Sequence, residues 1–301
     1  MSIINETTSN STVGVQPQIA PLARAMIEPL VQATLLEDLG RAGDITSNAV
    51  VPAHARTMTR MVAREAGVLA GIDLAALTFS LMDSDLQFKA LLQDGDVLAP
   101  GSVIAEVRGP ARAMLSAERT ALNFLGHLSG VATATAKVAQ AIAPYGTKVT
   151  CTRKTLPGLR AIQKYAVRVG GGSNHRFGLD DAVLIKDNHV AIAGGITPAI
   201  EQARASIGHL VKIELEVDTL DQLDEALALG VDVILLDNMP PETLTEAVRR
   251  INGRAISEAS GGISPESVVE VAKTGVNRIA IGALTHSVKV LDIGLDTWSA
   301  D

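Results

Sequence analysis

Cationic side chains that could bind a strongly anionic ligand are concentrated in one short part of the sequence. Residues 148–176 contain seven lysines and arginines and no Asp or Glu, so the segment has a formal charge of +7. The cations are Lys148, Arg153, Lys154, Arg160, Lys164, Arg168 and Arg176. Arginine binds carboxylate and phosphate groups through paired hydrogen bonds, and lysine supplies a point charge. The segment therefore predicts a site for a small molecule with several anionic groups, although the 301-residue chain has a net charge of −7.

Cationic residues in and near this segment form two sets, one with helical spacing and one in predicted loops. Arg160, Lys164 and Arg168 recur every four residues, a spacing typical of a solvated helix face. The loop set, near predicted strand ends or a glycine-rich loop, consists of Arg153, Lys154, His175, Arg176 and Lys186. The run Gly170-Gly171-Gly172 precedes His175 and lets the backbone approach a ligand closely. We expect the loop set to bind the ligand and the helical set to face solvent.

Two carboxylates are candidates for holding a divalent cation. In the β-rich run 211–217, Lys212, Glu214 and Glu216 share one face, and four aliphatic residues share the other. If helices cover the aliphatic face, the charged face points into a barrel, where an unpaired carboxylate is costly. Glu214 has two interpretations, a structural ion pair with Lys212 or a role in the site. Glu216, nearer the strand end, is predicted to bind Mg²⁺ together with Asp237 of the next strand.

Six short β-rich segments after residue 146 must position these side chains. They are residues 147–151, 182–186, 211–217, 232–236, 255–259 and 277–281. The last four begin 21, 23 and 22 residues apart, which indicates consecutive β-α units and a parallel sheet. The first strand is not followed by a glycine-rich dinucleotide fingerprint. We therefore predict an α/β barrel, which is incomplete because it has six strands where a full barrel has eight.

Each of the six segments ends in polar or glycine residues. Reactive groups gather at the carboxyl ends of barrel strands, so these residues are expected to form one large polar site. The fifth segment leads into Ser260-Gly261-Gly262 and the sixth into Gly282. Backbone N–H groups after the last strands of a barrel often bind phosphate. These two strand ends are therefore predicted to hold a phosphate group.

The first 146 residues have a different character. Residues 1–20 are rich in Ser, Thr, Asn and Gln and are predicted to be a disordered tail. Residues 21–39 have apolar residues at helical spacing, and a long helix is predicted from Pro110 to about Ala143. Strands separated by Gly-Asp turns are predicted at Arg56–Ala70, Leu86–Leu92 and Val97–Val107.

Composition excludes several classes of protein. No apolar run reaches the roughly 18 residues that a membrane span needs, and aromatic residues make up 2% of the chain, which disfavours stacking on single-stranded nucleic acid. The single cysteine, Cys151, excludes a disulfide framework and favours a reducing, cytoplasmic location. Cys151 is expected to be buried, and His54, His127 and His189 are expected to have structural roles because they show no zinc-type spacing.

Motifs along most of the chain resemble those of the quinolinate phosphoribosyltransferase family. They are Gly43-Asp44-Ile45-Thr46, Glu118-Arg119-Thr120-Ala121-Leu122-Asn123, Thr152-Arg153-Lys154-Thr155, Pro157-Gly158-Leu159-Arg160, Lys164-Tyr165-Ala166-Val167-Arg168, Gly170-Gly171-Gly172-Ser173-Asn174-His175-Arg176, Leu184-Ile185-Lys186-Asp187-Asn188-His189, Glu214-Leu215-Glu216-Val217-Asp218, Leu236-Asp237-Asn238-Met239, Glu258-Ala259-Ser260-Gly261-Gly262-Ile263 and Gly282-Ala283-Leu284-Thr285-His286-Ser287. The resemblance extends from about residue 21 to 290. Cys151 and Leu156 depart from it, since Asp and Thr are common at these positions.

The resemblance implies a two-domain fold and a specific reaction. The fold is an N-terminal α/β sandwich, residues 21–126, beside an incomplete α/β (TIM-like) barrel, residues 127–286, with 287–301 packing back on the first domain. The implied enzyme transfers phosphoribosyl from phosphoribosyl pyrophosphate (PRPP) to quinolinate with Mg²⁺. It releases nicotinate mononucleotide, pyrophosphate and CO₂, a step of NAD biosynthesis. Family members work as homodimers.

The resemblance also assigns roles to individual residues. It implies that Arg153, His175, Arg176 and Lys186 bind the quinolinate carboxylates, with Arg119 supplied by the second subunit. Lys154, Glu216 and Asp237 are implied to act on the ribose, the pyrophosphate and the magnesium. The implied cradle for the 5′-phosphate consists of Ser260, Gly261, Gly262 and Gly282. The catalytic residues expected on this basis are Lys154, Lys186, Glu216 and Asp237.

Two other functions are consistent with parts of the pattern. One is an enzyme of the same class that acts on nicotinate without decarboxylation, but a single carboxylate needs fewer cations than this chain has. The other is a binding protein that senses phosphosugars or pyridine dicarboxylates, which would have no use for magnesium-binding carboxylates. Neither nucleic acid nor a membrane is expected as a partner.

Overall fold

The computed structural model of the chain describes residues 19–297. The disordered tail predicted for residues 1–20 therefore lies outside the described residues, apart from Ile19 and Ala20. Within the described residues, no helix combines the length and the apolar character that crossing a bilayer requires.

The N-terminal part of the chain is an antiparallel sheet covered by helices. Its elements are α1 (Arg24–Leu39), α2 (Ile45–Val50), β1 (Arg56–Ala63), β2 (Gly67–Val68), α3 (Ile72–Met82), β3 (Gln87–Ala90), β4 (Val97–Leu98), β5 (Val103–Pro110) and α4 (Ala111–Ile142). The four-stranded sheet has the order β12-β1-β5-β3, in which β12 is Ile293–Thr297 near the end of the described chain. Side chains from the sheet, α3 and α4, among them Met61, Phe79, Ile104 and Leu125, form one apolar core.

Two sequence predictions for this region were wrong in detail. The strands predicted at Arg56–Ala70 and Val97–Val107 are each interrupted, the second by a turn in which Gly101 adopts a φ of +88°. Helix α3 was missed altogether. It packs against the sheet and α4, so six of its eleven residues are buried and the alternation of polar and apolar residues that marks a surface helix is absent.

The long helix α4 joins the two halves of the fold. It starts directly after Pro110, as predicted, because proline lacks an N–H that a first helical turn would leave unpaired anyway. Leu125 and Leu128 are fully buried, whereas Leu115, expected on the same apolar side, is 41% exposed. Helix α4 contacts α3 on one side and β6 (Lys148–Thr150) and α5 (Arg160–Val169) on the other.

The remaining elements form an incomplete α/β barrel, which confirms the predicted fold class. They are β7 (Val183–Ile185), α6 (Asp187–Ala193), α7 (Ile196–Ser206), β8 (Ile213–Val217), α8 (Leu220–Leu229), β9 (Val233–Asp237), α9 (Pro241–Ile251), β10 (Ile256–Ser260), α10 (Val268–Lys273), β11 (Arg278–Ala280) and α11 (Ala283–His286), with a short 3₁₀ turn at Ala143–Tyr145. All six predicted strands are present and pair in parallel, in the order β6-β11-β10-β9-β8-β7. The two end strands, β6 and β7, do not pair with each other within residues 19–297.

The alternation of side chains along β8 explains how the barrel positions charged groups. Ile213, Leu215 and Val217 are buried in the apolar layer between the strands and the outer helices. Glu214 and Glu216 alternate with them and therefore face the barrel interior, as predicted. Parallel strands bring their carboxyl ends to one edge, so the loops after all six strands surround a common space.

Candidate active site

A cavity of about 790 Å³ opens at the carboxyl ends of the barrel strands. All the predicted site residues except Arg119 line it: Arg153, Lys154, His175, Arg176, Lys186, Glu216, Asp237, Ser260, Gly261, Gly262 and Gly282. Asn238, Glu258 and His286 are further polar residues of its wall. The volume is of the size that encloses a small organic ligand.

Two guanidinium groups with unused hydrogen-bonding capacity face this cavity. The Nε atoms of Arg153 and Arg176 are buried and have no partner among residues 19–297. Arg176 uses Nη1 to donate to the Ala182 carbonyl at 3.0 Å, which fixes the loop before β7. Burial and the nearby Arg153 charge lower the pKa of Arg176. A buried donor without a partner is costly, so an anionic ligand is the natural partner for this pair.

His175 also lines the cavity, but the protein uses both of its ring nitrogens. Nδ1 accepts a hydrogen bond from the Arg176 N–H at 2.8 Å, and Nε2 lies 2.9 Å from Glu214 Oε2. Burial opposes a charge on His175, but the hydrogen bond to Glu214 and the charges of Glu214 and Glu258 together outweigh burial and raise the pKa of His175. A second proton would still have to displace the Arg176 N–H from Nδ1, so the geometry assigns the ring its hydrogen on Nε2. In this arrangement His175 orients Arg176 and has no free N–H for a carboxylate.

Glu214 contacts His175 of the cavity wall and does not pair with Lys212. Lys212 precedes β8 and its Nζ binds Asp232 Oδ1 at 2.7 Å, at the opposite end of the strands. Glu214 instead accepts from His175, and Glu258 of β10 lies 3.5 Å from the same nitrogen. The structural ion pair considered between Glu214 and Lys212 is therefore wrong. Lys212 precedes β8, and its side chain pairs with Asp232 instead.

The two carboxylates predicted to bind magnesium lie on neighbouring strands in the cavity wall. Glu216 is in contact with the Lys186 ammonium, and Asp237 accepts from the Asn238 side chain at 2.5 Å. Asn238 has a φ of +52°, which turns the chain sharply after β9. Carboxylate oxygens that face an open cavity are the donors that Mg²⁺ uses when substrate oxygens supply its other ligands. The donor set thus fits a magnesium ion.

The loop after β10 brings backbone close to the ligand space. Gly261 has a φ of +97°, and a Cβ there would lie 2.1 Å from Asn238 Oδ1. At Gly282, a Cβ would lie 3.1 Å from Lys154 Cδ and 3.3 Å from His286 Nε2. Only glycine fits at Gly261 for both reasons. Gly261, Gly262 and Gly282 all line the cavity, and backbone N–H groups in such loops can bind an anion.

The loop that carries Arg153 and Lys154 is anchored by buried polar contacts. Thr285 Oγ1 donates to the Lys154 carbonyl at 2.7 Å, and the fully buried Gln163 accepts from the Leu156 N–H at 3.0 Å. Gln163 Nε2 also lies 2.6 Å from the Thr285 carbonyl and 2.9 Å from His127 Nε2. These bonds connect the cationic loop with α4, α5 and α11, so the cations have a defined position before a ligand binds.

Lys164 contradicts the prediction of a solvated helix face. It is 2% exposed, and its Nζ donates to the His175 carbonyl at 2.9 Å and to Cys151 Sγ at 3.2 Å. Cys151 is buried, as expected, and its Sγ lies 3.3 Å from Asn174 Oδ1. Helix α5 turns this position towards the barrel, where β6 and the glycine-rich loop meet. Lys164 therefore holds the loop that presents His175 and Arg176.

We expect Lys164→Ala to lower the free energy of unfolding by about 2–4 kcal/mol, because it creates a cavity and leaves the partly buried His175 carbonyl without its Lys164 donor. Urea denaturation monitored by circular dichroism measures this change. Lys273→Ala is the matched control, since Lys273 is on the surface and pairs with Glu270. Equal unfolding free energies for wild type and Lys164→Ala would contradict the role given to Lys164.

Arg119 is the one predicted site residue that lies elsewhere. It is exposed on α4 and does not line the cavity. The histidines expected to be structural are consistent with such roles where contacts are defined. His189 Nδ1 accepts from the Lys186 N–H at 3.0 Å in the first turn of α6, and burial lowers the pKa of His127.

Sequence reasoning missed three polar residues of the cavity wall. Glu258 stands two residues before Ser260 on β10, so strand alternation could have placed its side chain on the same face. His286 follows Gly282 by about one helical turn. Asn238 directly follows Asp237, and its positive φ is a property of the folded chain that the sequence pattern did not indicate.

Comparison with known proteins agrees with this geometry. Residues 44–129 match the N-terminal domain family of quinolinate phosphoribosyl transferase, and residues 131–296 match the C-terminal domain family. A probable nicotinate-nucleotide pyrophosphorylase (carboxylating) of Bacillus subtilis is 46% identical over 270 residues, covering 90% of this chain and 93% of that protein. Its counterpart in Mycobacterium leprae is 48% identical over 271 residues, covering 88% and 95%. The structure of the nicotinate-nucleotide pyrophosphorylase from Francisella tularensis superposes with a TM-score of 0.89 at 40% identity, covering 94% of this chain and all of that one. The chain belongs to the quinolinate phosphoribosyltransferase family.

Proposed function

We propose that the chain transfers phosphoribosyl from PRPP to quinolinate with decarboxylation, giving nicotinate mononucleotide, pyrophosphate and CO₂. The observation that carries the proposal is the pair of guanidinium groups of Arg153 and Arg176, whose buried Nε atoms have no hydrogen-bond partner among residues 19–297. They face the same cavity as the Glu216 and Asp237 carboxylates. One side of the cavity therefore suits an aromatic diacid, and the other suits a phosphorylated sugar. The reaction belongs to the biosynthesis of NAD.

The acid-binding side is formed by Arg153, Arg176 and Lys186. Two arginines and a lysine match two carboxylates, and they hold the pyridine ring so that its nitrogen points along one direction. His175 keeps Arg176 in place through the backbone hydrogen bond at Nδ1. This positioning matters because the ring nitrogen must attack the ribose C1 in line with the departing pyrophosphate.

The phosphoribosyl side is formed by Lys154, the two carboxylates and the glycine loops. The backbone N–H groups around Ser260-Gly261-Gly262 and Gly282 donate hydrogen bonds to the 5′-phosphate. Glu216 and Asp237 stabilise the positive charge that develops at C1 as pyrophosphate leaves, and Lys154 neutralises the leaving group. Mg²⁺ held by Glu216 and Asp237 would add charge neutralisation of the pyrophosphate. No general base is needed, because the pyridine nitrogen attacks without losing a proton.

Decarboxylation follows from the same arrangement. Once its nitrogen carries ribose, the ring is cationic and stabilises the electron pair that CO₂ leaves on the adjacent carbon.

The single cysteine is buried, and a cytoplasmic, reducing environment is the location we propose.

The test is turnover of quinolinate by the purified chain with PRPP and Mg²⁺, following pyrophosphate and CO₂ together. Equal amounts of both products are expected with quinolinate, and no turnover with nicotinate. Turnover of nicotinate alone would overturn the assignment of substrate. Tight binding of both substrates, measured by calorimetry, without product release would favour the sensor protein.

We also propose that the active unit is a homodimer in which Arg119 completes the acid-binding side of the partner subunit. The chain's own Arg119 is exposed and outside the cavity. One turn earlier on α4, Leu115 is 41% exposed, and an apolar residue beside an exposed arginine is typical of a protein interface.

Mixed dimers of Arg119→Ala and Lys186→Ala are expected to recover about half of the wild-type activity, whereas each variant alone is inactive. One of the two sites in such a dimer has both residues, and the other site has neither. The dimers are purified through two different affinity tags and assayed for CO₂ release. If Arg119 acted within its own subunit, purified mixed dimers would stay as inactive as the single variants.

A further inference from the structure

Glu258 lies on the border between the two sides of the cavity. Glu258 and Ser260 are alternate residues of β10 and point to the same face of the strand. Ser260 belongs to the glycine-loop side, whereas Glu258 Oε1 is 3.5 Å from the Nε2 of His175, which precedes Arg176 on the acid-binding side. A pyridine ring attached to ribose has to span both sides. Its nitrogen and the adjacent carbon must therefore lie near this border.

The surroundings of Glu258 favour the protonated carboxyl. The residue is 5% exposed, and its Oε1 has no hydrogen-bond partner within the described part of the chain. His175 donates its Nε2 hydrogen to Glu214 at the shorter distance of 2.9 Å, so Glu258 must stand beside another carboxylate. Burial, with the Glu214 charge in the same direction, raises the pKa of Glu258 to about 7, against the opposing charge of Arg278. A buried carboxyl with its pKa raised in this way keeps its proton up to about neutral pH and can donate it.

We propose that Glu258 is the acid that protonates the ring carbon from which CO₂ departs. The inference rests on the proposed function. The bond between the ring carbon and its carboxylate breaks, CO₂ leaves, and the electron pair stays on the carbon beside the cationic nitrogen. The O–H bond of Glu258 breaks in the same step, and its proton forms the new C–H bond before CO₂ can recombine with the electron pair. Loss of this acid therefore slows net CO₂ release. Glu258 is left as a carboxylate, which water protonates again before the next turnover.

A divalent cation bound by the same groups is the competing explanation. His175, Glu214 and Glu258 offer one ligand atom each, all within 4.8 Å of one another. The Arg176 N–H occupies Nδ1 of His175, however, so Nε2 carries the ring hydrogen and has no lone pair for a metal. The charges of Arg176, near Glu214, and of Arg278, near Glu258, further disfavour a cation. A protonated Glu258 carboxyl is therefore a better explanation of this cluster than a bound divalent cation.

The test compares pyrophosphate and CO₂ release by Glu258→Gln. We expect pyrophosphate release in the first turnover to stay within about tenfold of wild type, and CO₂ release to fall by about 10²-fold, the usual contribution of a positioned acid. The N-ribosylated dicarboxylate should then accumulate. Glu106→Gln is the matched control, because Glu106 is also a buried glutamate but lies in the N-terminal sheet, paired with Arg60.

A second readout separates proton donation from a structural effect. In an equal mixture of H₂O and D₂O, the ratio of hydrogen to deuterium at the new C–H position of the product reports the proton donor. The ratio should change in Glu258→Gln, where water replaces the carboxyl, and should stay at the wild-type value in Glu106→Gln. The proposal would be overturned if Glu258→Gln released pyrophosphate and CO₂ together, as the wild type does, and gave the wild-type ratio of hydrogen to deuterium. A stoichiometric metal ion that Glu258→Gln removes would also overturn it.

Wild-type measurements keep the proposal testable if Glu258→Gln does not fold. As the pH rises through about 7, the carboxyl loses its proton, so single-turnover CO₂ release should slow relative to pyrophosphate release. A constant ratio of the two rates across this range would contradict the role of Glu258. Failure of the wild type to release any pyrophosphate from PRPP with quinolinate is a different result, since it would overturn the proposed function itself.

Discussion

Replacing Arg153 by methionine is expected to lower kcat/KM for quinolinate by roughly 10²–10⁴-fold, the loss that follows when one member of a buried charge pair is removed. The Nε of Arg153 has no partner among residues 19–297, so its hydrogen-bonding capacity is available to the substrate. The KM for PRPP should change little, because the phosphate cradle lies on other strands. Steady-state kinetics with each substrate varied in turn measures both effects.

The same variant should fold as well as the wild type. Methionine fills a similar volume, and its introduction removes the repulsion by which Arg153 lowers the pKa of Arg176. The melting temperature of Arg153→Met is therefore expected to equal or exceed that of the wild type. Arg249→Met is the control, because Arg249 is exposed on α9 and pairs with Glu246. A kcat/KM for quinolinate within a few-fold of wild type would exclude Arg153 from carboxylate binding.

Glu216→Gln is the second substitution with a large expected effect. We expect kcat to fall by about 10³-fold, since metal-assisted stabilisation of developing charge is worth several kcal/mol. The Mg²⁺ concentration for half-maximal activity should rise as well, because an amide is a weaker ligand than a carboxylate. Glu216 is in contact with Lys186, so the substitution also releases that ammonium from its partner. Titration of activity with Mg²⁺ at saturating substrates measures both quantities.

Asp218→Asn is the matched control for Glu216→Gln. Asp218 follows the same strand but is exposed and does not line the cavity. Its substitution should leave both kcat and the Mg²⁺ requirement at wild-type values. Identical Mg²⁺ titrations of the wild type and Glu216→Gln would show that Glu216 is not a magnesium ligand.

The barrel strands and their ends could be predicted from the sequence because their signal is local. A strand buried under helices is a short run of aliphatic residues, and alternation along β8 sufficed to direct Glu216 inward. Parallel pairing then brings the polar strand ends together, so the cavity-lining cations and carboxylates could be named without coordinates. The same approach did not detect helix α3, because this helix is buried on several sides and has little amphipathic pattern.

Contacts between distant segments could not be predicted from spacing. The recurrence of Arg160, Lys164 and Arg168 suggested one solvated face, yet Lys164 is buried against the His175 carbonyl. Lys212 and Glu214 share a strand face in the sequence, but Lys212 lies before β8 and pairs with Asp232. Both interpretations considered only neighbours along the chain, whereas the actual partners come from other elements.

The sequence by itself determined which residue types are present and at which strand ends, and therefore an anionic-ligand site on an incomplete α/β barrel. The tertiary structure decided which of these groups remain free for a ligand. His175 was named as a carboxylate-binding residue, but both its ring nitrogens are used by the protein, while Arg153 and Arg176 keep unpartnered donors. The protonation of Glu258 likewise depends on burial and on Glu214 from another strand. Hydrogen-bond saturation and desolvation are properties of the packed environment, and a pattern along one chain contains neither.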